Sequence, residues 1–423
     1  MTRTLYSFLF YLALPFAVLR LFWRSRAEPL YRATLGQRFG RVQVLPPEAR
    51  PIWVHAVSAG ETNAAAKLVE QLIARGHKVF VTTMTPTGRA RVQALFADRV
   101  YHSYAPWDVP HAVNRFLDRV QPCALVIVDT ELWPNMLAGA HRRGIPAVLV
   151  NARLSERSAS GYARIPSITG EMMANLSAVA CQTPAQGDRF LALGLHPDKL
   201  HVAGSIKFDV ELPAGRDDAL SAIRRKIGQR FVVLGASTHR GEESALIEAV
   251  EALTDPSALL VLAPRHPNRN DEVASLCTGR GLGVVRHSEG DNCTPETHVL
   301  LVDTMGELMD FYRCADLAFV GGSLVPVGGH NPMEPALARV PIVMGRYQFN
   351  IDEIADRFVE ADAMIVVDDD RELAESVRRL RHDEKRRDAL SRNATGVMEK
   401  NRGALDRVLT LVSDILSGKS SLK

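Results

Sequence analysis

Two series of short β-branched runs, each interleaved with longer amphipathic stretches, most constrain what this chain can fold into. The first runs through Ile52 to Val57, Lys78 to Thr83, Ala124 to Asp129, Ala147 to Asn151 and Ala178 to Gln182. The second runs through Phe231 to Gly235, Leu259 to Ala263, Val299 to Asp303, Leu317 to Gly321, Pro341 to Met344 and Met364 to Val367. Strand and helix in alternation is the pattern of a parallel sheet covered on both faces. The expected class is therefore α/β, with two doubly wound, Rossmann-like halves. A chain of 423 residues that is 46% hydrophobic can bury a large core, yet it is too long for one ordinary α/β core, which again gives two domains. Regular periodicity stops at Gly204-Ser205-Ile206-Lys207-Phe208-Asp209 and at Leu212-Pro213-Ala214-Gly215, where turn formers gather. That stretch reads as a linker with a cleft beside it. No short-period repeat is present, which excludes a solenoid. The charged tail from Arg371 to about Leu416 has a helical pattern and reads as a packing element.

Ahead of the first series, Leu5 to Trp23 is apolar and aromatic, broken only by Ser7, Pro15 and Arg20. Its uninterrupted core falls short of the roughly 20 residues of a comfortable span, so a tilted span and an interfacial helix are both open. No small-residue cleavage site follows, which argues against a removed signal. Residues 1 to 50 carry Arg3, Arg20, Arg24, Arg26, Arg32, Arg38, Arg41 and Arg50 against Glu28 and Glu48, a cluster suited to an anionic lipid surface. The arginines after the apolar run are expected to hold the rest of the chain on the cytoplasmic side of the inner membrane. Over the whole chain 51 basic residues face 48 acidic ones, too even a balance for nucleic-acid binding. Cys123, Cys181, Cys277, Cys293 and Cys314 form no C-x-x-C pair, so neither a zinc ribbon nor a disulfide framework is expected. The expected division is an anchor over 1–27 and domains over 28–209 and 210–423.

Ligands of open parallel sheets sit beyond the carboxyl ends of the strands. Three junctions there read alike: Ser58-Ala59-Gly60-Glu61, Thr304-Met305-Gly306-Glu307 and Asn331-Pro332-Met333-Glu334. Each spacing is also that of a capping box, in which the Glu only satisfies a backbone N–H. Gly60 and Gly306 leave room for a ligand beside the carboxylates. Glu61, one strand end from His55, is placed to act as a general base, although a helix N-terminus favours the ionised form and lowers basicity unless desolvation offsets it. Asp129-Thr130-Glu131-Leu132-Trp133-Pro134-Asn135 puts two acids at another strand end. In the second half, Gly235-Ala236-Ser237-Thr238, Gly321-Gly322-Ser323 and Gly328-Gly329-His330-Asn331 are turns of the kind that bind phosphate through backbone N–H groups. Arg265 and His266 add cationic or donor groups, and Lys207 is a cation between the halves. Asp368-Asp369-Asp370 opens a charged helix and reads as first-turn acids rather than a metal site. Neither metal nor cofactor is expected.

Taken together and in order, Trp53 to Glu61, Thr82 to Gly88, Asp129 to Asn135, Asn151-Ala152-Arg153-Leu154-Ser155, Gly204 to Asp209, Pro264-Arg265-His266-Pro267 and Gly328 to Pro335 resemble the transferases of 3-deoxy-D-manno-octulosonic acid (Kdo) in lipopolysaccharide assembly. The resemblance implies a GT-B glycosyltransferase fold, two Rossmann-like domains facing a central cleft behind a membrane-anchor helix. It implies metal-independent, inverting transfer of Kdo from CMP-Kdo to the lipid A precursor, the tetraacylated disaccharide 4′-phosphate. On its pattern Glu61 is the base, Glu131 and Lys207 stabilise the transition state, and CMP is held by Pro264 and Arg265, by Met305, Gly306 and Glu307, and by Asn331, Pro332, Met333 and Glu334. Asp129 stands where a Glu is more usual and Ala59 where a Val is. The partners implied are CMP-Kdo, the lipid A precursor and membrane lipid, with no nucleic acid. A GT-B enzyme using a UDP-sugar, or a membrane-tethered nucleotide-binding protein without turnover, are the alternatives.

Overall fold

The computed structural model describes residues 1–26, 34–210 and 215–418. Glu28 and Arg32 of the basic cluster, the expected anchor boundary at residues 27 and 28, and Leu212, Pro213 and Ala214 of the expected linker lie outside the described residues. The described residues of Met1–Asp209 and of Arg402–Lys423 form one compact unit, and those of Val210–Asn401 form the other.

In the first unit the strands are β1 (Ile52–His55), β2 (Val79–Thr83), β3 (Tyr101–Tyr104), β4 (Ala124–Val128), β5 (Ala147–Ala152), β6 (Ala178–Cys181) and β7 (Leu200–Val202). They pair in parallel in the order β3-β2-β1-β4-β5-β6-β7. Strand alternation divides the side chains between two cores. Trp53, Leu125 and Ile127 pack with Phe116 and Leu137 on one face. Val54, Val126 and Val128 pack with Leu68 on the other.

The expected second domain of 210–423 is corrected at its end. Helix Ala404–Leu416 lays Ala404, Val408, Leu411 and Val412, an apolar stripe at helical spacing, onto the Val54 face of the first sheet. The Asp209 carboxylate seals the junction by accepting the N–H groups of Gly403 and Leu405, each at 2.6 Å. The stretch Gly204 to Asp209 is likewise part of this unit rather than a free linker, with Ser205, Ile206 and Phe208 all buried.

Helix Arg3–Arg24 lies along the first unit. Phe10, Leu14, Ala17, Val18 and Leu21 pack around Trp107, Val109 and Ala112. Polar contacts fix its first half: Arg3 to Glu171 at 2.6 Å, Ser7 Oγ to Asn135 Oδ1 at 3.1 Å, and Tyr11 to His111 at 2.7 Å. The opposite face leaves Phe8, Leu12, Phe16, Leu19 and Trp23 exposed.

In the second unit the strands are β8 (Phe231–Thr238), β9 (Ala258–Pro264), β10 (Gly283–Arg286), β11 (Thr297–Leu301), β12 (Leu317–Val320), β13 (Ile342–Gly345) and β14 (Met364–Val367). Their order is β10-β11-β9-β8-β12-β13-β14, again all parallel. Chain order reverses between β1 and β4 in the first sheet and between β8 and β12 in the second, the switch points where open sheets bind ligands.

Candidate active site

Glu61 stands in the first turn of helix Ala59–Ala74, directly after β1 at the first switch point. The Ser58 hydroxyl accepts the Glu61 N–H at 3.2 Å and donates to Glu61 Oε1 at 2.9 Å, while the Val57 N–H donates to Oε2 at 2.7 Å. This closes a variant of the capping box in which the Glu reaches the N–H before the cap residue, so both oxygens are held in one orientation. Its two sequence look-alikes do not close. Glu307 is itself the cap residue of helix Leu308–Tyr312, its carboxylate taking the Thr304 hydroxyl, and Asn331 turns back to accept the Met333 N–H at 3.0 Å. Burial pushes the Glu61 carboxyl up to about 7, against the two hydrogen bonds and with help from the charges of Glu131 and Asp129. Desolvation thus offsets the helix N-terminus already within this unit.

The neighbouring strand end supplies those acids. β4 stops at Val128 and Asp129 takes a left-handed conformation, φ 61°, so strand alternation does not extend to Glu131. Asn151, also left-handed at φ 52°, donates to Asp129 Oδ1 at 2.5 Å and accepts the Ser205 hydroxyl and the Ile206 N–H at 3.2 Å. One buried amide therefore joins the end of β4 to the turn that carries Lys207. That turn packs on the helix of Glu61 through Ile206, and among the described residues the half-buried Lys207 ammonium has no hydrogen-bond or ion-pair partner. Glu131 accepts from the Trp133 indole at 2.9 Å, and burial raises its carboxyl above the ordinary range. The Trp133 ring meets His55 edge-on at 4.7 Å. His55 is fully buried, bonded through Nδ1 to Thr82 at 2.9 Å, and burial drives its pKa down to about 3, so the ring is neutral and packs the Glu131 loop. Glu61, Glu131 and the Lys207 turn are thus brought to one sheet edge.

Along the carboxyl edge of the second sheet, four adjacent strands contribute. Met305, Gly306 and Glu307 follow β11, Pro264 ends β9 with Arg265 after it, His239 follows β8, and Asn331 to Glu334 end the loop after β12. Met305 is 74% exposed, and Gly306 has φ 87°, a conformation that favours glycine. Glu307 faces His287 at 3.5 Å. The exposed Arg265 guanidinium has no hydrogen bond or ion pair among the described residues, but its charge reaches Glu334, whose carboxyl burial raises. Pro332 and Met333 are buried, so their side chains serve packing.

The glycine-rich turn Gly321-Gly322-Ser323 is not an open phosphate cradle. The buried Glu242 carboxylate already accepts the N–H groups of Gly322 at 2.8 Å and of Ser323 and Leu324 at 3.0 Å, and of His239 at 2.8 Å. A side chain has taken the place an anion would fill. Gly328, Gly329 and His330 likewise spend their N–H groups on the carbonyls of Gly322 and Gly321. A side chain at Gly321 is excluded, since its Cβ would lie 2.4 Å from the Ser237 carbonyl oxygen. Sequence reasoning missed Glu242 and His239. The only local signal was the pair Glu242 and Glu243 in a first turn, an ordinary helix start.

Comparison with known proteins adds to this geometry. Residues 33–210 match the family model of 3-deoxy-D-manno-octulosonic-acid transferase (kdotransferase). A 3-deoxy-D-manno-octulosonic acid transferase of Haemophilus influenzae is 37% identical over 98% of this chain and 99% of its own length. One of Bordetella pertussis is 36% identical over 93% and 95%. Among solved structures, a UDP-GlcNAc 2-epimerase from Neisseria meningitidis bound to UDP-GlcNAc is similar in fold at 14% identity, with a TM-score of 0.55 over 86% of this chain and all of that one. The two parallel seven-stranded sheets are those of a GT-B fold. At this identity over nearly its full length, the chain belongs to the 3-deoxy-D-manno-octulosonic acid transferases and is a glycosyltransferase.

Proposed function

We propose that the enzyme moves Kdo from CMP-Kdo to a 6′-hydroxyl of the tetraacylated disaccharide precursor of lipid A, with inversion and without a metal. Glu61 removes the hydroxyl proton as the new C–O bond forms at the anomeric carbon, and CMP leaves with the electron pair of the broken bond. Glu131 and Lys207 stabilise the charge that develops in the transition state. CMP is held by Pro264, Arg265, Met305, Gly306, Glu307 and Asn331 to Glu334. The observation that carries this reading is the Glu61 carboxylate, fixed by Ser58 and Val57, with its pKa raised to about 7 and so matched to proton transfer near neutrality.

The site of action is the cytoplasmic face of the inner membrane. Helix Arg3–Arg24 is long and apolar enough to cross a bilayer, but it contacts the first unit from Arg3 to Leu21. Lying flat, it offers Phe8, Leu12, Phe16, Leu19 and Trp23 to the acyl boundary and Arg20, Arg24 and Arg26 to anionic headgroups. In the test, Glu61→Gln should lower transfer by about 10²-fold or more while CMP still binds. Retained transfer would remove Glu61 as the base. Mass spectrometry of the lipid made from CMP-Kdo and tetraacylated acceptor reads activity and the number of Kdo units added together.

A further inference from the structure

The carboxyl edge of the second sheet gathers four groups able to carry positive charge. His239 follows β8, Arg265 and His266 follow β9, and His330 lies in the loop after β12. The His239 and His330 rings stack at 15° with their Nε2 atoms 2.9 Å apart, and His266 meets His239 edge-on at 5.5 Å. Among the described residues no carboxylate hydrogen-bonds to any of these four side chains. Glu242 is spent on loop N–H groups, and both oxygens of Glu243 go to Arg269, at 2.6 and 3.2 Å. Glu334, beside Arg265, is held above the ordinary carboxylate range by burial.

An Nε2 to Nε2 contact at this distance has one nitrogen donating and the other accepting, so a single proton lies between the rings. A second would set two N–H groups against each other. Burial first, then the charges of the neighbouring histidines and Arg265, pulls the His330 pKa down to about 4. Burial, His266, Arg269 and Arg265 lower that of His239, with Glu243 opposing. Burial and the neighbouring positive charges keep the histidine pair neutral, and an anion placed among these donors offsets both.

We propose that His239, His330 and Arg265 form a proton-linked phosphate site for the nucleotide donor, in which the arriving phosphate draws a second proton onto the histidine pair so that each ring donates to a phosphate oxygen. Arg265 supplies fixed charge and the pair supplies charge on demand. This explains why the glycine-rich turn can give its N–H groups to Glu242: the oxyanion is met by side chains instead. The proposal rests on the CMP-donor reading, and cytidine, which lacks the phosphate, separates the two.

The experiment is calorimetry of the full-length protein at pH 7.5 in two buffers of different ionisation enthalpy, with CMP and with cytidine. At that pH a phosphate monoester, with a second pKa of about 6, is already fully charged. Wild type should take up part of a proton on binding CMP and none on binding cytidine. His330→Gln and His239→Gln should abolish the uptake and weaken CMP by roughly tenfold or more, the loss of one charge-assisted hydrogen bond, while cytidine affinity stays within about twofold. CMP binding by wild type without proton uptake overturns the proposal and leaves the donor reading standing. Equal loss of CMP and cytidine in both variants also overturns it, since that marks a structural role. A wild type that binds neither ligand sinks the donor reading and this proposal with it.

Discussion

Burial lifts the Glu61 carboxyl to about 7 against two hydrogen bonds that lower it, and each influence can be moved separately. A proton acceptor at Glu61 acts when ionised, so on the proposed mechanism kcat/KM should rise with pH through about 7 and level off above it. Glu131 raises the Glu61 pKa through its charge, so Glu131→Gln should shift the midpoint of the residual activity to lower pH. A midpoint that stays or moves up would show that the titrating group is not Glu61. Asn151 is the complementary case, a residue that acts through others. Asn151→Ala removes the bonds to Asp129, Ser205 and Ile206, so transfer should fall by roughly tenfold or more while CMP affinity is unchanged. Loss of the first unit's melting transition would mean that the unit has unfolded instead. At this scale the sequence spoke unevenly. The placement of Glu61 and Glu131 at strand ends was legible because a strand, a glycine or turn and an acid follow one another locally. Glu242 was not, because three of its four partners lie 80 to 82 positions away and only the fold joins them. The three look-alike Glu motifs differ for the same reason, since spacing alone does not say where a helix starts.

Helices and strands were readable to the degree that they are buried. The central strands are apolar on both faces and were found as runs, whereas β3, β7 and β10 were missed, and all three are the outermost strands of their sheets. An edge strand has only one neighbour, so Tyr101–Tyr104, Leu200–Val202 and Gly283–Arg286 are short and partly polar. The N-terminal helix shows the converse: its composition marked an anchor and left a span and a surface helix both open, and its contacts lie with the first unit. Ser7 binds Asn135, and Asn135 opens helix Pro134–Arg142, whose first N–H groups go to Asp108 at 3.0 and 2.7 Å. The N-terminal helix is therefore tied to the element that follows Glu131 and Trp133. Replacing Phe8, Leu12 and Phe16 together with Ser should cut binding to anionic vesicles by about 10²-fold or more, from lost apolar burial. Thermal stability in solution should hardly change, because these side chains are exposed in the folded protein. Vesicle sedimentation beside a melting curve tests this, and undiminished binding would place the membrane contact elsewhere.

For the molecule as a whole, the least expected feature is that helix Ala404–Leu416, which follows the second unit in sequence, packs on the first sheet. Part of the first unit's core is therefore supplied by a segment that lies beyond the second unit in sequence. Ending the chain at Asn401 strips Ala404, Val408, Leu409, Leu411 and Val412 from the Val54 face and leaves the Asp209 carboxylate without its two N–H donors. Burial of those side chains is worth on the order of 10 kcal/mol before the entropy of ordering the helix is subtracted. That rivals the whole stability of an ordinary domain, about 5–15 kcal/mol. The truncated protein should therefore lose the cooperative melting of its first unit and all transfer activity. Residues 210–401 keep their own sheet and both of its cores, so CMP should still raise the melting temperature of that unit, by an amount that grows with the logarithm of ligand concentration. Calorimetric melting with and without CMP distinguishes the outcomes. Two intact transitions in the truncated chain would mean that the last helix is dispensable packing, whereas loss of both would mean that the second unit depends on the first for its own folding.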